Sequence, residues 1–360
     1  MKQFDLLTDL IPKSNTGRSR FLKFIIIPAH MNEKILVTYG PGAEERGIYR
    51  EMLEGIANVY YLAAATAIGR TELLNSAEVI ISLSFSEKEI DPTEISRLEN
   101  LRFIQLIYAG ADNIPFSLIP EDILLASNVG AFAEPIAEHV LALTLALAKN
   151  LFSKYKILCG GRFDRSGYNR KLSEGICGII GLGGNGREIA SIMQAVGMKV
   201  YGINRSGKTE SAVDFVGNTR DMKKVLQAAD VVVVTTPLTR ETRNLLGKKE
   251  LDWMKSDAIL INVGRGEVID QQALYEHLVS NPDFRAGIDT WWSEPGSGEN
   301  FILEYPFCQL SNFIGSPHNA DHVPGSMPHA TKLALENVKK FLLGEDIKGA
   351  LNRGDYISLG

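Results

Sequence analysis

The fold is decided by the stretch Ile176-Cys-Gly-Ile-Ile-Gly-Leu-Gly-Gly-Asn-Gly-Arg187, which places Gly181, Gly183 and Gly186 between a short apolar run and a helical pattern. In such a loop the first glycine permits a tight strand-to-helix turn, the second lets the backbone approach a pyrophosphate, and the third lets the helix pack on the strand. Free amides at the helix N-terminus then face the phosphates. The spacing predicts a dinucleotide-binding loop.

The sequence around this loop predicts the sheet that carries it. An apolar β run precedes the glycines, Gly197 closes the helix that follows them, and a second β run comes next. The strands predicted for this sheet lie at 176–180, 199–203, 231–235, 258–263, 286–289 and 313–315. Six strands are the number of a complete doubly wound dinucleotide domain.

The earlier part of the chain alternates β runs with helical stretches, which predicts a further parallel α/β sheet. Its strands are predicted at 35–39, 59–62, 79–83, 103–107 and 123–126, with a helix at 44–56. A long apolar helix at 133–151 follows, and a last helix at 327–343 is expected to return to this first sheet. The predicted fold class is α/β, with two doubly wound parallel-sheet domains, one Rossmann-type and one flavodoxin-like, and a cleft between them.

The predicted domain limits follow from this order. The substrate domain comprises 31–128 and 319–345, the dinucleotide-binding domain comprises 129–318, and 346–360 form a C-terminal tail. Met31 is followed at once by the first β run, so we expect 1–30 to be an extension outside the fold. The alternative is that this segment adds a strand or helix to the first domain.

Composition excludes several classes of protein. The 360 residues are 45% hydrophobic and 22% charged, which suits a globular chain of two domains. A net charge of -5 gives no reason to expect a nucleic-acid partner. Cys159, Cys177 and Cys308 lack metal-ligand spacing and are odd in number, which favours a reduced, cytoplasmic compartment and no metal site. No apolar stretch reaches the ~20 residues that span a bilayer, so no membrane partner is expected.

Polar residues follow the strands at the sheet edge where ligands bind in open parallel sheets. Arg265 stands between two glycines, and its guanidinium can hold a carboxylate bidentately while polarising an adjacent carbonyl. Glu294 and His318 follow the next two strands. A carboxylate keeps an imidazole protonated, so that it can give a proton to a carbonyl oxygen as a hydride arrives at carbon. Their joint placement predicts catalytic roles for Arg265, Glu294 and His318.

These motifs resemble the signatures of the D-isomer-specific 2-hydroxyacid dehydrogenases. The matching segments are the glycine loop, Asn262-Val-Gly-Arg-Gly-Glu-Val-Ile-Asp270, Asp289-Thr-Trp-Trp-Ser-Glu-Pro295 and Ser316-Pro-His318, in order within about 101–343. The resemblance implies Arg265 as carboxylate clamp, His318 as acid/base with Glu294 as partner, and Asp289 as a ligand of the nicotinamide carboxamide. It also implies a homodimer with the helix at 133–151 in the interface.

The resemblance extends to the binding residues. Tyr108-Ala-Gly-Ala-Asp-Asn113 resembles the family's substrate loop, whose backbone amides hold the substrate carboxylate, and Asn128 with Glu138-His139 resembles the segment that enters the interdomain helix. The implied substrate-binding residues are Ala109, Gly110, Ala111, Arg265 and His318. The implied cofactor-binding residues are Gly181, Leu182, Gly183, Gly184, Asn185, Gly186, Asn204, Arg205, Ser206, Lys208, Thr236, Pro237, Val263 and Asp289.

The residues after the second strand of the nucleotide-binding sheet bear on the choice of cofactor. Family members that use NAD place an aspartate there, whereas this chain reads Asn204-Arg-Ser-Gly-Lys208. A carboxylate would accept from the ribose hydroxyls and repel a 2′-phosphate; Asn204 does not repel it, and Arg205, Ser206 and Lys208 can contact it. We therefore expect NADP(H) to be preferred over NAD(H). The alternative is that Arg205 only stacks on adenine.

The predicted activity is reduction of a small 2-keto acid such as glyoxylate or hydroxypyruvate. Two alternatives stay open: a phosphite or formate dehydrogenase on the same fold, although formate enzymes place glutamine at the position of Glu294, and a non-catalytic nucleotide-sensing protein of the corepressor type. Trp291 or Trp292 either lines the pocket or packs at the domain seam. His322 lies four residues after His318, but the lack of a third close ligand argues against a metal.

Overall fold

The computed structural model describes residues 33–296 and 298–356. The predicted N-terminal extension, 1–30, lies outside the described residues, as do the last four residues of the predicted tail. Two parallel β-sheets with intervening helices form the framework, so the predicted α/β class is confirmed.

The first sheet has the strand order β2-β1-β3-β4-β5. Its strands are β1 (Glu33–Val37), β2 (Ala57–Tyr61), β3 (Val79–Ser82), β4 (Phe103–Leu106) and β5 (Leu124–Ala126), and its helices are α1 (Ala43–Leu53), α2 (Ala67–Ser76) and α3 (Pro92–Ile95). Every residue of β3 and β4 is buried, as expected for parallel strands covered on both faces. The order is that of flavodoxin-like folds, in which the ligand edge lies between β1 and β3.

The second sheet has the strand order β12-β11-β10-β9-β6-β7-β8. Its strands are β6 (Ile176–Ile180), β7 (Lys199–Ile203), β8 (Phe215–Gly217), β9 (Val231–Val234), β10 (Ile259–Asn262), β11 (Arg285–Ile288) and β12 (Phe313–Gly315). The prediction of six strands was wrong, because β8 pairs with β7 at the sheet edge. The apolar run of this strand is only Phe215 and Val216, between Asp214 and Gly217, which is too short to predict a strand from the sequence.

The helix predicted at 133–151 is two helices, α4 (Ala133–Ala148) and α5 (Leu151–Cys159), whose axes differ by 57°. Asn150 between them has a left-handed backbone, with φ +51°, which ends α4. Helix α4 packs against the second sheet and its first helix, α6 (Gly184–Ala195). No single helix of residues 33–296 and 298–356 is long and apolar enough to cross a membrane by itself. The bent α4–α5 pair together has the length and composition of a membrane span, and by those two criteria only.

The remaining helices complete the two layers and bring the chain back to the first sheet. They are α7 (Met222–Ala228), α8 (Lys248–Leu251), α9 (Gln271–Ser280) and α10 (Ser326–Leu342). As expected, α10 returns to the first sheet, where it packs on α1 and β4. The Asn128 side chain fixes this crossing, since its Nδ2 donates to the carbonyls of Ile107 and Ala330 at 3.1 and 2.8 Å.

The C-terminal segment, defined here as residues 349–356, also lies on the first sheet. The Ser127 amide donates to the Gly349 carbonyl, and the Leu351 amide donates to the Leu125 carbonyl, both at 2.9 Å. The Arg353 guanidinium donates to three carbonyls of the loop before β5, those of Ile119, Pro120 and Ile123. Residues at the end of the chain therefore hold a fixed position beside the first sheet.

Candidate active site

A cleft of about 280 Å³ is lined by residues that follow strands of both sheets. Tyr108 and Gly110 follow β4, Arg265 follows β10, Asp289 follows β11 and His318 follows β12. The carboxyl ends of parallel strands meet at one edge, which is why residues far apart in sequence converge there. The cleft therefore collects the predicted carboxylate clamp, the acid/base histidine and the substrate loop.

The glycine loop has the geometry that the sequence pattern predicts. Gly181 has φ +108°, and a Cβ there would lie 2.8 Å from the Thr236 amide nitrogen. A Cβ on Gly186 would overlap the Gly181 carbonyl, so α6 packs directly on the turn, whereas a Cβ on Gly183 meets nothing within 4 Å. The backbone of Gly183 is thus the part of the loop that a phosphate can approach.

The residues around this loop fit a bound dinucleotide. The Thr235 hydroxyl donates to the Gly181 carbonyl at 2.6 Å and ties β9 to the loop. The neighbouring Thr236 hydroxyl is buried and has no hydrogen-bond partner within the described chain. Buried hydroxyls normally have a partner, so Thr236 suits a polar group of a cofactor. Of the other predicted cofactor residues, Asn185, Val263 and Asp289 line the cleft.

The loop after β7 is stabilised by Asn204. Its Oδ1 accepts from the Gly207 amide at 2.7 Å and from the Ser206 hydroxyl at 3.2 Å, while its Nδ2 donates to the Lys208 carbonyl at 2.7 Å. Asn204 thus shapes the loop on which the predicted ribose contacts stand. Arg205 extends from this loop and pairs with Asp355 of the C-terminal segment at 2.9 Å.

Arg265 is held in place from both sheets. Its Nε donates to Asp112 Oδ1 at 3.1 Å, and its Nη1 donates to the Gly264 carbonyl at 2.8 Å. A Cβ on Gly110 would overlap Arg265 Nη2, so only glycine lets the guanidinium lie this close to the substrate loop. Sequence reasoning quoted Asp112 in the loop motif but assigned it no role. Asp112 is the one carboxylate of that motif, and this is the sequence feature that could have identified it as a partner for Arg265.

The substrate loop offers backbone donors beside this guanidinium. Ala109 and Gly110 line the cleft, and the buried Ala111 follows them. The amides of these three residues make no hydrogen bond to the chain within residues 33–296 and 298–356. Free amides next to a guanidinium are suited to a carboxylate, because charge-assisted hydrogen bonds of this kind are the strong ones.

His318 and Glu294 form a close pair, with 2.7 Å between His318 Nδ1 and Glu294 Oε2. The hydrogen bond to Glu294 raises the pKa of His318 by more than burial lowers it. Burial raises the pKa of Glu294, but the hydrogen bonds from His318 and the Trp291 amide, together with the charges of His318 and Arg265, bring the pKa below its ordinary value. The pair therefore favours an imidazolium beside a carboxylate, and the Nε2–H of this imidazolium is chemically able to donate a proton.

Asp289 is buried within a polar network that sequence reasoning missed. Its Oδ1 accepts from the Ser316 hydroxyl at 2.6 Å and from the Asn319 amide at 3.3 Å. His139 of α4 completes the network, with its Nε2 2.8 Å from the Ser316 hydroxyl and 3.5 Å from Asp289 Oδ1. This network fixes the orientation of the carboxylate that faces the cleft.

The two tryptophans after Asp289 pack rather than line the cleft. Trp291 is buried and donates through Nε1 to the Ser316 carbonyl at 2.8 Å. Trp292 stacks on Phe307, with 5.3 Å between ring centroids, and donates to the Ile269 carbonyl at 2.6 Å. Their role is therefore to position the strand ends that carry Asp289 and His318. The described residues contain no group of three or more potential metal ligands.

Comparisons with known proteins agree with this geometry. The family model described as D-isomer specific 2-hydroxyacid dehydrogenase, NAD binding domain, matches residues 141–320. The D-3-phosphoglycerate dehydrogenase of Methanocaldococcus jannaschii is 28% identical over 311 residues, covering 85% of this chain. This chain spans only 58% of that relative's length. The glyoxylate reductase of Aeropyrum pernix is 29% identical over 273 residues, or 73% of this chain and 80% of that protein.

A solved structure shows the same fold over nearly the whole chain. It is a D-isomer specific 2-hydroxyacid dehydrogenase family protein from Aeromonas salmonicida, with a TM-score of 0.73, 24% identity, and coverage of 89% of this chain and 99% of that one. The matched family region holds the glycine loop, Arg265, Glu294 and His318, and ends just beyond the histidine. The chain belongs to the D-isomer specific 2-hydroxyacid dehydrogenase family.

Proposed function

We propose that this protein reduces small 2-keto acids, such as glyoxylate or hydroxypyruvate, with a nicotinamide cofactor. One observation carries the proposal: Arg265, braced by Asp112, and His318, paired with Glu294, reach the same cleft as the free amides of the substrate loop. A carboxylate clamp beside a proton donor is what the reduction of a keto carbon next to a carboxylate requires.

The side chains divide the work as follows. The Arg265 guanidinium and the amides of Ala109, Gly110 and Ala111 bind the substrate carboxylate, and Arg265 polarises the keto oxygen. The bound nicotinamide cofactor supplies the hydride. His318 gives its Nε2 proton to the keto oxygen, which becomes the hydroxyl, and Glu294 holds the ring throughout. The neutral imidazole then takes a proton from solvent.

The charges of the cleft favour a small monocarboxylate. Arg265 is the one arginine or lysine that lines it among the described residues, and Asp321 also lines it. A substrate with a phosphate needs a second cation for that group. The cleft thus suits hydroxypyruvate better than a phosphorylated 2-keto acid. A phosphorylated substrate is what the name D-3-phosphoglycerate dehydrogenase indicates for the Methanocaldococcus jannaschii relative.

NADP(H) is proposed as the preferred cofactor. The support is that β7 is followed by Asn204, which carries no charge, and then by two cationic residues, Arg205 and Lys208. The five residues that follow β7, 204–208, include no carboxylate that would repel a 2′-phosphate. The contact between Arg205 and Asp355 moderates the preference, because the phosphate has to compete for the guanidinium.

The direct test is oxidation of NADPH and of NADH in the presence of glyoxylate, hydroxypyruvate, phosphohydroxypyruvate, pyruvate and bulkier 2-keto acids, with formate and phosphite assayed in the oxidative direction. Turnover of the small keto acids, faster with NADPH, is expected. Activity confined to formate or phosphite would replace the proposal with the corresponding dehydrogenase. Tight cofactor binding with no turnover of any substrate would indicate a nucleotide sensor.

The Glu294→Gln variant is expected to shift the pH dependence of reduction. Protonated His318 is the donor, so kcat/KM falls as pH rises through the pKa of His318. The Glu294 carboxylate raises that pKa, and glutamine cannot do so, hence the falling limb moves to lower pH. We would measure kcat/KM against pH, with the exposed Glu304→Gln as control. An unmoved limb in Glu294→Gln would contradict the assigned pair.

A homodimer is also proposed, through α5 and the loop that follows it. Apolar side chains there are exposed: Leu151, Phe152, Tyr155, Leu158 and Phe163. Several exposed large apolar side chains on one helix and the loop after it favour an interaction site there. Sedimentation is expected to give twice the chain mass, and Leu158→Asp is expected to shift the protein toward monomer. A monomeric wild-type protein at micromolar concentration would refute the proposal.

A further inference from the structure

The C-terminal segment brings a carboxylate to the cofactor-binding loop. Asp355 Oδ2 lies 2.9 Å from Arg205 Nη1, although the two residues are 150 positions apart. The Asp355 side chain is 19% exposed, against 65% for Arg205. Glu241 lies on the other side of the same guanidinium, with 3.6 Å between Oε2 and Nη2. Arg205 therefore contacts two carboxylates, of which Asp355 is the closer and the more buried.

Asp355 is held in this position by several independent contacts. Its Oδ1 accepts from Asn352 Nδ2 at 3.1 Å, and its carbonyl accepts from the Arg240 amide at 3.0 Å. Tyr356, the next residue, stacks on Phe116 of the first sheet's loops, with 5.0 Å between ring centroids. With Arg353 bound to three carbonyls, the segment is anchored on the first sheet while its carboxylate reaches the second.

We propose that Asp355 is a specificity-determining residue that limits the preference for NADP(H) over NAD(H). The inference rests on the proposed binding of a nicotinamide dinucleotide. In doubly wound folds the residue after the second strand reads the 2′ position of the ribose, by an acid for NAD or a nearby arginine for NADP. This chain has Asn204 at that place, and the acid comes from the C-terminal segment.

The physical basis is competition at one guanidinium. A 2′-phosphate carries close to two negative charges near neutral pH, and Asp355 already accepts from Nη1 of Arg205, one of the donors available to such a phosphate. The phosphate has either to displace the Asp355 carboxylate from the guanidinium or to bind beside it. Repulsion between the two negative groups opposes binding side by side. An exposed ion pair is weak, so displacement is possible and the preference is moderate rather than absolute.

Asp355→Asn tests this inference by binding as well as by turnover. We would measure dissociation constants of adenosine 2′,5′-bisphosphate and of 5′-AMP by calorimetry, and the ratio of kcat/KM for NADPH and NADH. The variant is expected to bind the bisphosphate about three- to fivefold more tightly, as for loss of an exposed competing pair at the upper end of its usual strength. Binding of 5′-AMP is expected to stay within about twofold, since it lacks the 2′ group.

Two further variants isolate the cause. Arg205→Gln is expected to weaken binding of the bisphosphate. In the Arg205→Gln background, Asp355→Asn is expected to lose most of its effect on this binding, because both substitutions act on the same contact. Asp346→Asn removes a negative charge from an exposed position just before the C-terminal segment. It is expected to leave the dissociation constants of both ligands unchanged. If wild type and Asp355→Asn bound the bisphosphate with the same affinity, and 5′-AMP likewise, the inference about Asp355 would be overturned while the proposed cofactor would stand. If wild type binds neither nucleotide, the proposed cofactor falls and this inference falls with it.

Discussion

His318→Gln is expected to lower kcat/KM for keto-acid reduction by about 10²–10⁴-fold, the usual contribution of a positioned general acid. Glutamine has a side-chain amide that can still bond Glu294, but it has no proton to release near neutral pH. Binding of NADPH is expected to be unchanged, since the glycine loop and Thr236 lie on other strands. We would measure kcat/KM for glyoxylate and the dissociation constant of NADPH by fluorescence.

His329→Gln is the matched control for this variant, because His329 lies exposed on α10, outside the cleft. It is expected to retain wild-type turnover. If His318→Gln kept activity within about tenfold of wild type, another group would have to be the proton donor. Loss of NADPH binding in His318→Gln would instead indicate a role in forming the cofactor site.

Arg265→Lys is expected to have the next largest effect. Lysine retains the charge, but it loses the planar fork that contacts Asp112 and the Gly264 carbonyl while facing the substrate loop. Truncating one partner of a buried hydrogen-bonded charge pair costs about 2–5 kcal/mol, and the partly buried Arg265 is expected toward the lower end. That cost corresponds to a fall in kcat/KM of about 30- to 5,000-fold. Steady-state kinetics with glyoxylate and with pyruvate would measure it.

Arg243→Lys provides the comparison for Arg265→Lys, since Arg243 makes a partly exposed pair with Glu267 at 3.2 Å. It is expected to change kcat/KM by less than about twofold, as for a surface ion pair. A similarly small effect of Arg265→Lys would show that the substrate carboxylate binds elsewhere. An intact substrate KM with reduced kcat would limit Arg265 to polarising the keto oxygen.

Much of the fold could be predicted because its signals are local. The glycine spacing, the apolar strands and the alternation of strands with helices each lie within a few residues. Strand β8 was not predicted because its apolar run is only Phe215 and Val216, shorter than the four or more residues that indicate a strand. The break after α4 escaped because Asn150 adopts its left-handed conformation at a site with neither glycine nor proline.

The candidate site likewise contains residues that the sequence predicts and residues that it does not. Arg265, Glu294 and His318 could be selected because each follows a strand, and topology brings such residues together. The His318–Glu294 pair was among these predictions, but the residues that brace Arg265 and Asp289 could not be predicted, because a hydrogen bond across the fold leaves no local pattern. Asp112 is 153 residues from Arg265, and His139 is 177 residues from Ser316. The contact of Arg205 with Asp355 likewise depends on the path of the C-terminal segment, which no motif indicates.

The backbone of His318 has a consequence for the evolution of the protein. Its φ of +49° lies in the left-handed region, where a residue with a side chain costs about 1–3 kcal/mol. The His318 amide bonded to the Asp289 carbonyl and the Ala320 amide bonded to the Asp289 carboxylate hold it there. Part of the folding free energy thus goes into presenting this imidazole. Under the proposed catalytic role of His318, we expect selection for heat resistance and selection for turnover to act in opposite directions at this position.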